Sequence, residues 1–429
     1  MFNSKKLSIL LIVLVITTTI FAQGTKNVIF LIGDGMGLAQ LSLAEFIYNT
    51  ELNMMSMPYT GLVITRSNSN AITDSAAAGT ALSTGYKTNN GMIAMTPDKK
   101  PVETLLEKAE KLGKKTGMVT TTAITHATPA TFTAHVEKRY FQKDIAKMQA
   151  ESDFEVLLGG GSKYMEKNYN IAKKNGFEIV NTSKELMNVK SDKVMGIFHE
   201  SHMNYSLDRT ADEPSLALMT RKAIDILSKD NDKGFFLVVE GGRIDHAAHS
   251  NDPVGVLYDT VAFDKAVGEA LSFAKLNRDT LVVVTADHET GGLGLGRKGY
   301  DMYPQLFKGF KATPDIIVSK IKNDCSNLEK ILSMYTNFKV SDFDEKDLEA
   351  FKKARSKAKP SVYSQGGYAT VKFVDMINKK AGIGWTTGDH SGIMVPIMSY
   401  GMNASDFVGF MDNTEVPLRI MKTVVEEYK

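Results

Sequence analysis

Six short apolar runs in this chain end in polar or glycine residues. They are KNVIFLIGDG (residues 26–35), GMVTTT (117–122), EVLLGGG (155–161), FFLVVEGG (235–242), LVVVTADH (281–288) and VPIMSYG (395–401). Runs of Val, Ile and Leu without polar alternation read as strands covered on both faces. Helical patterns lie between them. Residues 256–275, for example, carry Leu257, Val261, Phe263, Val267 and Leu271 on one broad stripe. Strands alternating with helices predict an α/β fold: a mostly parallel central sheet flanked by helices on both faces.

The rhythm breaks from about Gly296 to Gly384, where Lys, Asp and Glu become more frequent. Helices are predicted at 314–334, 341–357 and 368–380, the second opened by Ser341 and Asp344 at capping-box spacing. Because VPIMSYG follows and can rejoin the sheet, 296–384 reads as a helical insertion before the last strands and not as a separate domain.

The chain has 429 residues, of which the first 22 stand apart. Lys5 and Lys6 precede an apolar stretch ending in Phe21 and Ala22, the layout of a secretory signal peptide. The stretch is shorter than the ~20 apolar residues of a spanning helix. The expectation is a signal peptide at 1–22, a catalytic domain at 23–429, and an exported, periplasmic or secreted product with no membrane span after cleavage. Residues 1–22 hold no acid, so removing Lys5 and Lys6 takes the formal charge from +2 to zero. No basic field is left to hold a nucleic acid as a primary partner. Cys325 is the only cysteine, which excludes an internal disulfide.

In open α/β sheets ligands gather beyond the carboxyl ends of the strands. Here Asp34 follows VIFLIG, Glu240 follows FFLVV, and Asp287 with His288 follows VVVTA. Any one could be a solvated strand end; four groups of metal-ligand type at such ends point to a metal cleft. EGGRIDHAAHS adds Asp245 and His249, four apart and so on one face of a helix. His246 lies beside Asp245 and points elsewhere. Asp389 and His390 sit in the glycine-bounded loop WTTGDHSG. NAITDSAAAGTALSTG (70–85) puts Ser75 at the head of a small-residue helix, with Asp74 immediately before it.

Taken in order, VIFLIGDGMG, TDSAAAGTALSTGYKTNNG, HATPATFTAHVEKR, EVLLGGGSKY, FLVVEGGRIDHAAH, LVVVTADHETGG, TGDHSG and FVGFMDNTEVP resemble the alkaline phosphatase family across residues 28–417. The resemblance implies two zinc ions and one magnesium ion. Asp245, His249 and His390 would hold one zinc; Asp34, Asp287 and His288, completed by Ser75, would hold the other. Asp34, Thr128 and Glu240 would hold magnesium, and Arg139 would grip the phosphate. Mixed nitrogen and oxygen ligands suit catalytic zinc, and an all-oxygen set suits magnesium. Ser75 would attack the phosphorus of a small phosphate monoester to give phosphoserine, which water then hydrolyses. Asp74 would orient Arg139.

His126 and His246 stand where well-known bacterial members carry Asp and Lys, and they are expected to support the site without ligating. His135, His199 and His202 are expected to be structural or exposed. Family members are commonly homodimers, and a compact monomer is the other expectation. A phosphodiesterase or sulfatase on the same scaffold is the nearest alternative. DSAAAG lacks a sulfatase Cys/Ser-x-Pro-x-Arg context, and Arg139 favours a monoester. A non-catalytic phosphate- or metal-binding protein is the alternative from another class.

Overall fold

The computed structural model describes residues 24–48, 52–297, 299–358 and 366–425. The expected signal peptide at 1–22 lies outside the described residues. Every apolar run becomes a strand of one ten-stranded sheet. The strands are β1 (Asn27–Ile32), β2 (Tyr59–Ile64), β3 (Lys115–Ala123), β4 (Val156–Gly160), β5 (Glu178–Val180), β6 (Val194–Ile197), β7 (Phe235–Glu240), β8 (Thr280–Thr285), β9 (Val395–Gly401) and β10 (Gly409–Asp412). Their order across the sheet is β10-β2-β9-β8-β1-β7-β3-β4-β6-β5. Strand β9 is antiparallel to both neighbours, β8 and β2, and every other pairing is parallel. Strands β1, β7 and β8 are buried at every position, as their uninterrupted apolar sequences require.

Four helices matter most to the site: α1 (Ser75–Thr84), α2 (Ala127–Thr133), α3 (Arg243–His249) and α4 (Pro253–Leu276). Asp252 caps α4 by accepting from the backbone N–H of Val254 and Gly255, with Pro253 in the first turn. All five residues of its predicted stripe are buried.

The alanines of α1 have a packing purpose. All of its residues are buried, and it lies against α2. A Cβ on Gly79 would sit 2.7 Å from Thr131 Oγ1 and 3.1 Å from its Cγ2. Valine there would force the two helices apart. Gly79→Val should cost about 1–3 kcal/mol, read as a lower denaturation midpoint; an unchanged midpoint would show that the helices can separate freely.

The stretch 296–384 departs from expectation in two places. The predicted helix 314–334 is two helices, Pro314–Lys320 and Leu328–Tyr335. The intervening turn holds Cys325 at φ +57°, a left-handed backbone that no α-helix accommodates. The predicted Ser341 start is also displaced, because Val340–Asp342 form a 3-10 turn in which Asp342 accepts from the Lys339 N–H. The helix Glu345–Lys357 therefore begins after Asp344, whose side chain makes no capping bond. The third helix, Tyr368–Ala381, is as predicted. Leu293–Leu295 pairs antiparallel with Ile383–Trp385 across the base of this stretch, and its Phe307, Phe338, Phe351 and Phe373 join the core that surrounds the sheet.

Candidate active site

Strands β8, β1, β7 and β3 are adjacent and parallel, so their carboxyl ends open on one edge and deliver polar groups there. Asp34 follows β1, Glu240 closes β7, and Asp287 and His288 follow β8. Beyond β3, His126 is the N-cap residue of α2, and Thr128 lies in that helix's first turn. Helix α3, just after β7, carries Asp245 and His249 one turn apart. His390 pairs with Thr290 in a short antiparallel ladder, and Ser75 is the first residue of α1.

Two groups of nitrogen and oxygen donors meet at this edge. In one, His249 Nε2 lies 3.4 Å and His390 Nε2 3.7 Å from Asp245 Oδ1, with 3.1 Å between the two nitrogens. In the other, His288 Nε2 lies 3.4 Å from Asp34 Oδ1, 3.3 Å from Asp287 Oδ2 and 3.2 Å from Ser75 Oγ. A third group is all oxygen: Thr128 Oγ1 is 3.3 Å from Asp34 Oδ2, and Glu240 lies across from them on the neighbouring strand. Each carboxylate oxygen of Asp34 thus faces a different group.

Electrostatics show what this edge can hold. Burial, reinforced by Asp287, Asp245 and Glu240, pushes the Asp34 carboxyl well above its ordinary range. Burial likewise lifts Glu240 to about 7 and Asp287 to about 8. For Asp245 burial also favours the neutral acid, but the hydrogen bond and charge of His249 outweigh it and hold the carboxyl well below the usual range. Although burial acts against it, His249 is raised to about 9 by the same contact. Asp34 Oδ1, Glu240 Oε1 and Asp287 Oδ2 are buried without a hydrogen-bond partner. Unpaired buried carboxylate oxygens are costly unless cations complete them, so the donor set fits metal ions.

Partners one step out fix the rings. His249 Nδ1 donates to Gly388 O at 2.6 Å and His390 Nδ1 to Thr73 O at 2.9 Å. His288 Nδ1 faces Thr290 Oγ1 at 3.2 Å, and that hydroxyl donates to Asp245 Oδ1 at 2.6 Å. The three Nε2 atoms are thereby turned to the carboxylates. Thr120 and Thr122, two apart on β3 and so on one face, both donate to Glu240 Oε2. Sequence reasoning found none of these threonines and carbonyls, since hydroxyls and backbone oxygens leave no distinctive pattern.

Arg139 stands beside α1. Its NH1 is 3.0 Å from Asp74 Oδ2 and its NH2 is 3.2 Å from His126 Nε2. Asp74 also caps α1, accepting from the Ala77 N–H at 2.9 Å, and takes the Gly91 N–H at 3.0 Å. One carboxylate therefore ties the arginine to the helix that begins with Ser75.

The alkaline phosphatase family profile matches residues 25–426. The chain belongs to the alkaline phosphatase family. Membership makes it an enzyme, a phosphoric monoester hydrolase. Alkaline phosphatase 3 of Bacillus subtilis is 38% identical over 93% of this chain and 89% of its own length. The cold-active alkaline phosphatase of a psychrophilic Shewanella superposes with a TM-score of 0.86 at 32% identity, covering 93% of this chain and 99% of that one. A His-to-Asp mutant of the TAB5 alkaline phosphatase, with magnesium bound in its M3 site, has a TM-score of 0.70 at 30% identity over 94% and 99% of the two chains. The alkaline phosphatase resemblance and the α/β architecture read from the sequence are thus borne out.

Two histidine expectations resolve differently. His246 does point away from the metal-type donors, its Nδ1 lying 2.7 Å from Arg243 NH1. His202, expected to be structural or exposed, instead packs against His126 and His246, with ring centroids 5.1 and 4.4 Å apart. Nothing in the residues around His202 signals this, because the partners lie more than forty positions away. His135 is structural, bridging Ala94 O and Glu107.

Proposed function

We propose that this enzyme hydrolyses small phosphate monoesters through a phosphoserine on Ser75, with two zinc ions and one magnesium ion in the three donor groups. Asp245, His249 and His390 suit one zinc, and Asp34, Asp287 and His288 with Ser75 suit the second. Asp34, Thr128 and Glu240 suit magnesium. When bound, these ions lower the pKa of the attacking oxygens and neutralise charge on the entering and departing ones.

The observation that carries the reading is the placement of Ser75 Oγ, 3.2 Å from His288 Nε2 and at the first turn of a ten-residue helix. The free N–H groups of that turn and its positive dipole end favour a phosphate anion. Ser75 Oγ attacks phosphorus as the ester oxygen departs, and water then attacks the phosphoserine to release phosphate. Arg139, its fork aimed by Asp74 and His126, can bind two non-bridging oxygens of a monoester dianion at once. The apolar leader at 1–22 supports export of a mature chain beginning near residue 23 to the periplasm or exterior. No helix among the described residues is long and apolar enough to cross a membrane.

Turnover of an aryl phosphate, the matching diester and the aryl sulfate, with zinc and magnesium supplied, tests this reading. Monoester preference abolished by a chelator is the expected result; preference for diester or sulfate would overturn the role of Arg139. Arg139→Ala should lower kcat/KM for the monoester on the order of 10–100-fold, the worth of a charge-assisted contact. Arg139→Lys should recover only part of that loss. Full activity in Arg139→Ala would place the phosphate clamp elsewhere.

A further inference from the structure

The histidines at this edge form two sets with opposite hydrogen-bond logic. In His249, His288 and His390 the outer nitrogen, Nδ1, faces an acceptor, and Nε2 is turned to the carboxylates. In His126, His202 and His246 the anchored nitrogen faces an obligate donor. Arg139 NH2 donates to His126 Nε2 at 3.2 Å, the Ala123 N–H to His202 Nδ1 at 3.1 Å, and Arg243 NH1 to His246 Nδ1 at 2.7 Å. Guanidinium and backbone N–H groups have no acceptor capacity. The nitrogen facing each must therefore be unprotonated, and the ring proton sits on the other: Nδ1 of His126, Nε2 of His202 and Nε2 of His246.

These three rings form one cluster. Their centroids are 4.4, 5.1 and 5.3 Å apart, and one nitrogen of each lies within 4.8 Å of the others. Such spacing is common to metal sites, but here the lone pairs are already engaged outward and two guanidinium groups stand against a further cation. His126 Nδ1 and Arg243 Nε are both buried without a hydrogen-bond partner, so the cluster holds unused donors. Asp34 and Glu240 each place a carboxylate oxygen within 4.8 Å of a His126 nitrogen on the metal side of the ring. Arg243 itself is held flat on the Tyr205 ring, 3.8 Å from its centroid.

We propose that His126, His202 and His246, flanked by Arg139 and Arg243, form a second oxyanion site that takes one phosphoryl group beside the first. The proposal rests on the phosphatase reading in that Arg139 binds the scissile phosphate. Neutral imidazole N–H groups and guanidinium groups both persist at alkaline pH, where imidazolium would be lost. The occupant is either free inorganic phosphate or the neighbouring phosphoryl group of a condensed phosphate.

Two measurements on the metal-loaded enzyme test this: equilibrium dialysis of inorganic phosphate, and kcat/KM for pyrophosphate relative to an aryl phosphate. His202 lies outside the proposed reaction machinery, so His202→Phe should leave aryl phosphate turnover within about twofold. If the site serves free phosphate, the wild type binds two phosphates per chain and His202→Phe binds one. If it serves condensed phosphates, His202→Phe lowers the pyrophosphate ratio about tenfold, the worth of one good hydrogen bond to a charged group. His202→Gln, which keeps a terminal donor, should restore much of either signal. A wild type binding a single phosphate, together with a pyrophosphate ratio unmoved by His202→Phe, overturns the site; so does an equal loss on both substrates. Should the wild type hydrolyse no ester, the phosphatase reading fails while the binding stoichiometry still decides the second site.

Discussion

Ser75→Ala is expected to lower turnover of an aryl phosphate by at least about 10³-fold, as loss of a nucleophile does elsewhere. Stability should barely change. Ser75 is 1% exposed, and its hydroxyl makes one hydrogen-type contact, to His288. Removing it costs about 1 kcal/mol of that contact and leaves α1, its Asp74 cap and its packing on α2 in place. Activity and melting temperature should therefore separate cleanly. Acid quenching after incubation with labelled phosphate gives the decisive readout: the wild type should retain label on serine and the variant none. A variant that is still labelled would mean that another residue is the nucleophile.

Removing metal should have the second largest effect, and its pH dependence carries a definite sign. Asp34, Glu240 and Asp287 hold their protons more tightly in the folded, metal-free chain than they would unfolded, Glu240 up to about 7 and Asp287 up to about 8. At these three carboxyls the folded state binds more protons than the unfolded state between the ordinary carboxylate range and about 8, so their contribution to stability falls as pH rises through that window. Burial holds His126, His202, His246 and His288 below the ordinary imidazole value of 6.5, which acts the other way only below that pH. Bound cations reverse the balance by stabilising the ionised acids. Thermal melts of chelated protein at pH about 6.5 and about 8.5, above the range where the buried histidines oppose the trend, should show a lower midpoint at the higher pH, and resupplied zinc and magnesium should erase the difference. Asp287→Asn, neutral throughout, should flatten the metal-free profile. Equal midpoints for the chelated wild type at both pH values would mean that these carboxylates are not confined as the packing indicates.

The central architecture was legible because β1, β7 and β8 are covered on both faces and so carry long apolar runs that end at Asp34, Glu240 and Asp287. Strands β5 and β10 escaped notice for the opposite reason. They lie at the two edges of the sheet, three and four residues long, and EIV and GFMD carry no such signature. Strand β2, YTGLVI, is only partly buried, and its first two residues are exposed. The break near Cys325 was hidden because 314–334 keeps an apolar helical pattern through a turn set by one left-handed residue. At the site, residue types with strong chemistry could be found from their places at strand ends. His202 could not: HESH contains no acid cluster of its own, and only the return of the chain across β3 brings it to His126.

The antiparallel strand β9 follows His390 and is inserted between β8 and β2, sealing the sheet from within. That arrangement has a consequence for how the protein is made. Its donor groups stretch from Asp34 to His390, so a chain still emerging from the ribosome possesses most of the ligands long before it possesses a cluster. The donors are assembled only when nearly the last tenth of the polypeptide has docked. If these donors hold metal as proposed, the sites close only once that last segment has docked, and a product truncated before His390 should be recognisable by its low metal content.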